Sequence, residues 1–137
     1  MAKTYMLRII TPEDSLYDGP CESLVVPGVE GSLGVLAGHA PMLAELTLGE
    51  VMVRTPDQTL HLVIYGGMLE INRDEVIVLS DGGTWGHHLD VREIESRIRE
   101  LETGMAMVTP ETREWDFQQV ELQRLLLELK AARRPSL

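Results

Sequence analysis

Cysteine and lysine are almost absent from this chain, and each absence closes a line of function. The one cysteine, Cys21, can form neither an internal disulfide nor a cysteine-rich metal site, and a reducing compartment fits it best. Lysine occurs only at Lys3 and Lys130. A phosphate-cradling loop of the form G-x-x-x-x-G-K-[ST] therefore has no lysine to complete it. Basic side chains number 12 against 22 acidic ones, for a formal net charge of -10. That excludes the clustered positive surface that nucleic-acid phosphates demand and disfavours anionic lipid. No apolar run approaches the ~18 residues of a membrane span. Met1-Ala2-Lys3-Thr4-Tyr5 has neither a signal-peptide core nor the arginines of a transit peptide. Membrane association is thus expected only through a partner.

What is present divides into two parts. The 137 residues suit one domain, or a compact domain with an appendage. Up to about residue 88 the pattern is β-structure. Tyr5, Leu7 and Ile9 alternate with Met6, Arg8 and Ile10, and further strands are expected at 15–17, 21–26, 32–36, 44–46, 50–54, 59–64, 67–72, 75–80 and 84–85. Turn formers lie between them, among them Asp18-Gly19-Pro20 and Asp81-Gly82-Gly83. Short strands at close spacing indicate a sandwich or barrel. Gly66-Gly67 inside a strand pattern marks a bulge or a close backbone approach.

From Leu89 the period changes. Val91, Ile94, Ile98 and Leu101 fall on one helical face. Asp90 is the expected N-cap, with Glu93 completing a capping-box-like pair, and Thr103-Gly104 the expected stop. A second helix is expected from Thr109 as N-cap, with Pro110 at the first helical position. Trp115, Leu122, Leu125, Leu126 and Leu129 line its face. Between residues 124 and 137, four bases (Arg124, Lys130, Arg133, Arg134) stand against one acid, Glu128. These bases either complement the helix dipole on a solvated face or form a basic arm that meets an acidic partner.

The stretch from Val26 to Pro41 is the most informative. It holds Gly28, Gly31, Gly34 and Gly38, is bracketed by Pro27 and Pro41, and carries His39. Ser32 lacks the glycine two residues before it that a nucleophile elbow requires, since Glu30 sits there. His39 has no acid at a defined offset and no partner nucleophile, and His39, His61, His87 and His88 show no zinc-ligand spacing. No catalytic residue, metal site or cofactor is expected. A docking loop remains.

The run Pro27-Gly28, Glu30-Gly31, Leu33-Gly34, Gly38-His39-Ala40-Pro41, Leu43, Leu46, Gly49 resembles the epsilon subunit of F-type ATP synthase. So does Gly66-Gly67-x-Leu69-Glu70-Ile71 followed by Val76-x-Val78-Leu79-x-Asp81. The likeness runs in order across about residues 3–88. It implies a ten-stranded β-sandwich (1–88) that docks on the rotor, followed by an antiparallel two-helix hairpin (89–137) with a regulatory role. It implies a non-catalytic central-stalk subunit on the cytoplasmic face of a bacterial inner membrane or the stromal face of a plastid thylakoid. The implied partners are the gamma subunit and the c-ring, reached through Gly28, Glu30, Gly31, Ser32, Gly38, His39 and Pro41. The alpha and beta subunits are implied when the helices extend, through Arg113, Arg124, Lys130, Arg133 and Arg134. Some bacterial members bind ATP through [IL]-D-x-x-R-A. Here Leu89-Asp90 is present, but Glu93 and Ile94 occupy the last two places, and Arg92 comes one residue early, turned about 100° around the helix. A nucleotide site at Asp90 and Arg92 is therefore expected to bind ATP more weakly than millimolar, or not at all. The alternative reading is a stand-alone β-sandwich binding module with a helical dimerisation hairpin.

Overall fold

A computed structural model describes residues 3–134; the expected N-terminal features at Met1 and Ala2, and the last three residues of the helical part, lie outside it. Eight strands come first: β1 (Tyr5–Ile10), β2 (Ser15–Cys21), β3 (Ser23–Gly28), β4 (Gly31–Leu36), β5 (Met42–Arg54), β6 (Thr59–Ile71), β7 (Glu75–Ser80) and β8 (Gly83–Trp85). A short 3-10 turn at Gly86–His88 leads to α1 (Val91–Met105) and α2 (Arg113–Ala132). The strands hydrogen-bond in the order β2-β1-β7-β6-β5-β3-β4, with β8 also on β6. All pairs are antiparallel except β1 with β7.

The sheet folds over on itself as a sandwich. Strands distant in hydrogen-bonding order touch across the core: Tyr5 Oη of β1 donates to the Val35 carbonyl of β4 at 2.7 Å, and Trp85 Nε1 of β8 donates to the Leu16 carbonyl of β2 at 3.1 Å. The alternation read in β1 is the physical cause. Leu7 and Ile9 are fully buried while Met6 and Arg8 face solvent. With Leu24, Val26, Val51, Val53, Leu62, Ile64, Leu69 and Val78 they fill one core, and each such side chain contributes roughly 1.5–3 kcal/mol by leaving water.

The expected strand count of ten is corrected to eight. The segments 44–46 and 50–54 are one strand, as are 59–64 and 67–71, because β5 and β6 keep one register from Met42↔Ile71 to Arg54↔Thr59, skipping only the position of Thr47 and Gly66. Gly49 does not break β5. It makes room for Pro27, whose Cβ would lie 2.5 Å from any Cβ at position 49. Gly66 and Gly67, at φ 103° and 143°, shift no register with β5 and form no bulge there. They are a close approach, since a Cβ on Gly67 would fall 2.0 Å from the Leu79 carbonyl oxygen.

Asp90 caps α1 as expected, its Oδ1 accepting from the N–H of Arg92 (2.9 Å) and Glu93 (3.3 Å). The Glu93 carboxylate pairs with Arg97 instead of closing a capping box. The helix runs past Gly104 to Met105. The second helix begins later than expected: Thr112, not Thr109, is its N-cap, accepting from Trp115 N–H at 3.1 Å. Glu111 lies at φ 69°, which no helix accommodates, so Pro110 stays outside. The helices pack through Ile94, Ile98 and Leu125. Leu126, expected on that face, is instead 49% exposed, because Leu125 and Glu128 turn inward.

Candidate functional site

The glycine stretch forms the β3–β4 turn and the loop that follows. Gly28 and Gly31 stand opposite each other in the ladder, with Val29 and Glu30 at the tip. A Cβ on Gly28 would meet the Gly31 carbonyl oxygen at 2.6 Å, so only glycine closes this turn. Gly31, at φ 130°, has a backbone that other residues avoid. The turn is fastened to β5 by Val29 N–H donating to the Glu45 carbonyl at 3.0 Å. Gly28, Glu30, Gly31 and Ser32 then border an open cleft of about 460 Å³, whose other wall is Met42 to Glu45.

Gly38, His39 and Pro41 are not part of that cleft. All three are exposed on the loop from β4 to β5, with His39 Nδ1 2.8 Å from the Ala40 carbonyl oxygen. Gly38 holds φ 84° with nothing within 4 Å of a built Cβ. Its glycine serves a left-handed turn here rather than close contact within the chain.

A second feature adjoins the cleft. On the outer face of the sheet Met6 (46%), Leu43 (68%), Met68 (39%) and Leu79 (47%) are exposed. Met68 stands opposite Leu79, Leu79 opposite Ile10, and Leu43 opposite Glu70. Leu43 belongs both to this face and to the cleft wall. Alternation predicted outward positions here, but polar residues are the rule for a solvated face. Ile10, Leu79 and Met68 form an apolar row across β1, β7 and β6, with Leu43 diagonal to Met68 and Met6 apart beside Glu75, and such a row is unusual for a solvated face.

The basic residues of the second helix are largely engaged. Arg124 pairs with Glu121, lies 3.9 Å from Glu128, and covers the Tyr65 ring at 5.7 Å. Its carboxylate neighbour holds the guanidinium pKa above the ordinary arginine value. Arg133 Nη2 lies 3.5 Å from Glu95 of α1, and Arg134 pairs with Glu50 of β5 at 2.7 Å. Arg113 and Lys130 are exposed, and neither forms an ion pair with a described residue. The acids Glu50 and Glu128 and the phenol of Tyr65 were not foreseen. Tyr65 donates to Glu128 Oε1 at 2.9 Å across 63 residues of sequence, and no local pattern announces such a pair.

Asp90 and Arg92 sit together at the start of α1, but the Asp90 oxygen is occupied by the helix cap. Among the described residues no group of three or more His, Cys, Asp or Glu side chains converges as a metal site. Cys21 is buried, and desolvation raises its thiol pKa.

Residues 4–86 match the family described as ATP synthase, Delta/Epsilon chain, beta-sandwich domain. The chain belongs to the ATP synthase epsilon chains. It is 35% identical over 107 residues to the epsilon chain of Pelotomaculum thermopropionicum, covering 78% of this chain and 80% of that one. With the epsilon chain of Nostoc punctiforme it shares 33% over 113 residues, covering 81% and 82%. With that of Synechococcus elongatus it shares 30% over 118 residues, covering 86% of each. Its fold is that of a chain in the Euglena gracilis mitochondrial ATP synthase (OSCP/F1/c-ring), with a TM-score of 0.80 at 19% identity over 96% of this chain and 82% of that chain. A chain of the Tetrahymena thermophila central stalk and c-ring gives 0.61 at 16% identity, over 95% and 97%. No helix among the described residues of this epsilon chain is long and apolar enough to cross a membrane.

Proposed function

We propose that this epsilon chain is a non-catalytic rotor subunit in the central stalk, coupling ion translocation to ATP synthesis and slowing ATP hydrolysis through its C-terminal helices. Residues 1–88 dock on the gamma subunit and the c-ring. Residues 89–137 act as an antiparallel regulatory hairpin that reaches the alpha and beta subunits. The complex places the chain peripherally on the cytoplasmic face of a bacterial membrane.

The observation that carries the docking role is the exposed apolar group of Leu43, Met68 and Leu79 on the outer face, continuous through Leu43 with the glycine-walled cleft. Leu43 joins the two, so one partner surface can cover both. Glu30 at the tip, Ser32 at the start of β4, and His39 and Pro41 on the next loop extend the contact. The antiparallel hairpin is supported by Arg133, late in the second helix, lying beside Glu95, early in the first. The regulatory role rests on the basic end of α2, which suits an acidic partner cavity.

Purification of the tagged chain from membranes tests this. Co-elution of gamma with the alpha and beta subunits is the expected result. Isolation of the chain alone, as a stable homodimer, would favour the stand-alone module. That second reading draws on the exposed Phe117, Val120 and Leu126 of α2. For regulation, removal of residues 109–137 should raise the hydrolysis rate of the reconstituted complex, and an equal rate at low salt would count against an inhibitory hairpin.

A further inference from the structure

One titratable side chain lies largely buried beside the end of α2 without a bond of its own. The side chain of His61 on β6 is 11% exposed, and its Nδ1 has no hydrogen-bond partner among the described residues. Its register partner on β5 is Met52, so Glu50 and Arg54 stand at the two diagonals. Glu50 Oε2 lies 4.0 Å from His61 Nδ1. The same carboxylate already receives Arg134 of α2, from Nη2 to Oε1 at 2.7 Å and from Nε to Oε2 at 3.3 Å. From the turn before α1, His87 lines the same pocket, with His88 edge-on to it. The charged and titratable groups around His61 are therefore Glu50, Arg134, His87 and the exposed Arg54.

With His61 neutral, one carboxylate balances one guanidinium. A proton on His61 sets two cations against a single acid, in a place that water screens poorly. The imidazolium draws on Glu50 Oε2, and Oε2 carries the longer and weaker prong of the Arg134 pair. Arg134 then keeps only the prong through Nη2. We propose that His61 is a proton-sensitive switch, sharing Glu50 with Arg134, that sets how firmly β5 holds the last turn of α2. Acid loosens this hold, and neutral or alkaline pH tightens it. Burial lowers the His61 pKa, Glu50 works against that and Arg134 adds to it. The sign agrees, since a lowered histidine pKa means that the held state favours the neutral ring. The switch stands on these contacts alone and needs neither the rotor nor the inhibitory reading.

Reciprocity supplies the test. If protonation of His61 weakens the hold of Arg134, removing Arg134 must ease protonation. The ring protons of the full chain are titrated by NMR, and His61 is the signal missing from His61→Gln. Relative to the parent, His61 should titrate at higher pH in Arg134→Gln and at lower pH in Glu50→Gln. Hydrogen exchange of the amides at 129–134 gives a second readout, each rate divided by its unprotected value at the same pH, with the amides of β1 and β7 as a folding control. Between about pH 7.5 and about pH 5, on either side of the ordinary histidine value, protection in the parent should fall about threefold to fivefold, the scale of one partly exposed ion pair. In His61→Gln it should stay level. A His61 titration that neither variant moves, or protection that falls equally in parent and His61→Gln while β1 and β7 stay protected, overturns the switch.

Discussion

Tyr65→Phe isolates one bond between the sandwich and the second helix. The phenol donates at 2.9 Å to Glu128, a residue only 6% exposed. Phenylalanine keeps the ring beneath Arg124 and removes only the hydroxyl. Glu128 is then left with Arg124 at 3.9 Å, beyond hydrogen-bond range. A hydrogen bond to a charged group is worth about 1.5–3 kcal/mol, and a buried acceptor left unpaired falls in that same range. The second bond of the hydroxyl, to Thr84 at 3.3 Å, is long and adds little. The expected loss is therefore about 2 kcal/mol. With a urea dependence of about 2 kcal/mol per molar for a chain of this size, the unfolding midpoint should fall by about 1 M. Far-UV circular dichroism in urea reads it. Glu128→Gln keeps an acceptor for the phenol and should lose less than Tyr65→Phe. A Tyr65→Phe midpoint within about 0.2 M of the parent, on the same dependence, would refute the claim that this bond couples the two parts.

Gly67→Ala should cost about 4 kcal/mol or prevent folding, because a Cβ 2.0 Å from the Leu79 carbonyl oxygen meets backbone that cannot yield. Gly38→Ala, at φ 84° in open space, should cost only about 1–2 kcal/mol; thermal melts that rank the two the other way would contradict the close-approach reading. Desolvation lowers the pKa of His61, against the attraction of Glu50 on β5 and with the repulsion of Arg134; His87 of the turn before α1 lines the same pocket. A lowered histidine pKa favours the folded state above the unfolded value of about 6.5 and withdraws that support as pH falls below it. Stability should thus decline below about pH 6.5, and His61→Gln should flatten that part of the profile; identical slopes for parent and variant would exclude a contribution from His61.

The core was legible in the sequence because period-two alternation reports burial directly, as at Leu7 and Ile9. Strand continuity was not. Gly49 separates two expected strands, and Gly66-Gly67 marks a bulge or a close approach between two others, yet β5 and β6 run through them in one register, since glycine there admits Pro27 and the β7 backbone. The start of α2 was misplaced by three residues because Glu111 adopts φ 69°, and a glutamate carries no signal for a left-handed backbone. The glycine turns of the Gly28–Pro41 stretch were legible by composition, since Gly31 and Gly38 hold positive φ. The apolar outer face came from knowing which outward positions lie beside one another, and that requires strand order. The ion pair of Glu50 with Arg134 was the least visible feature. Glu50 and Arg134 are 84 residues apart, and only the folded sheet brings them together.

Titration of purified gamma subunit into the full chain by calorimetry tests the central claim most directly. The account predicts saturable one-to-one binding, weakened about tenfold or more when a folded Leu79→Glu or Met68→Glu variant puts charge at the centre of the outer face. Absence of binding, or an affinity that neither substitution changes, would contradict it.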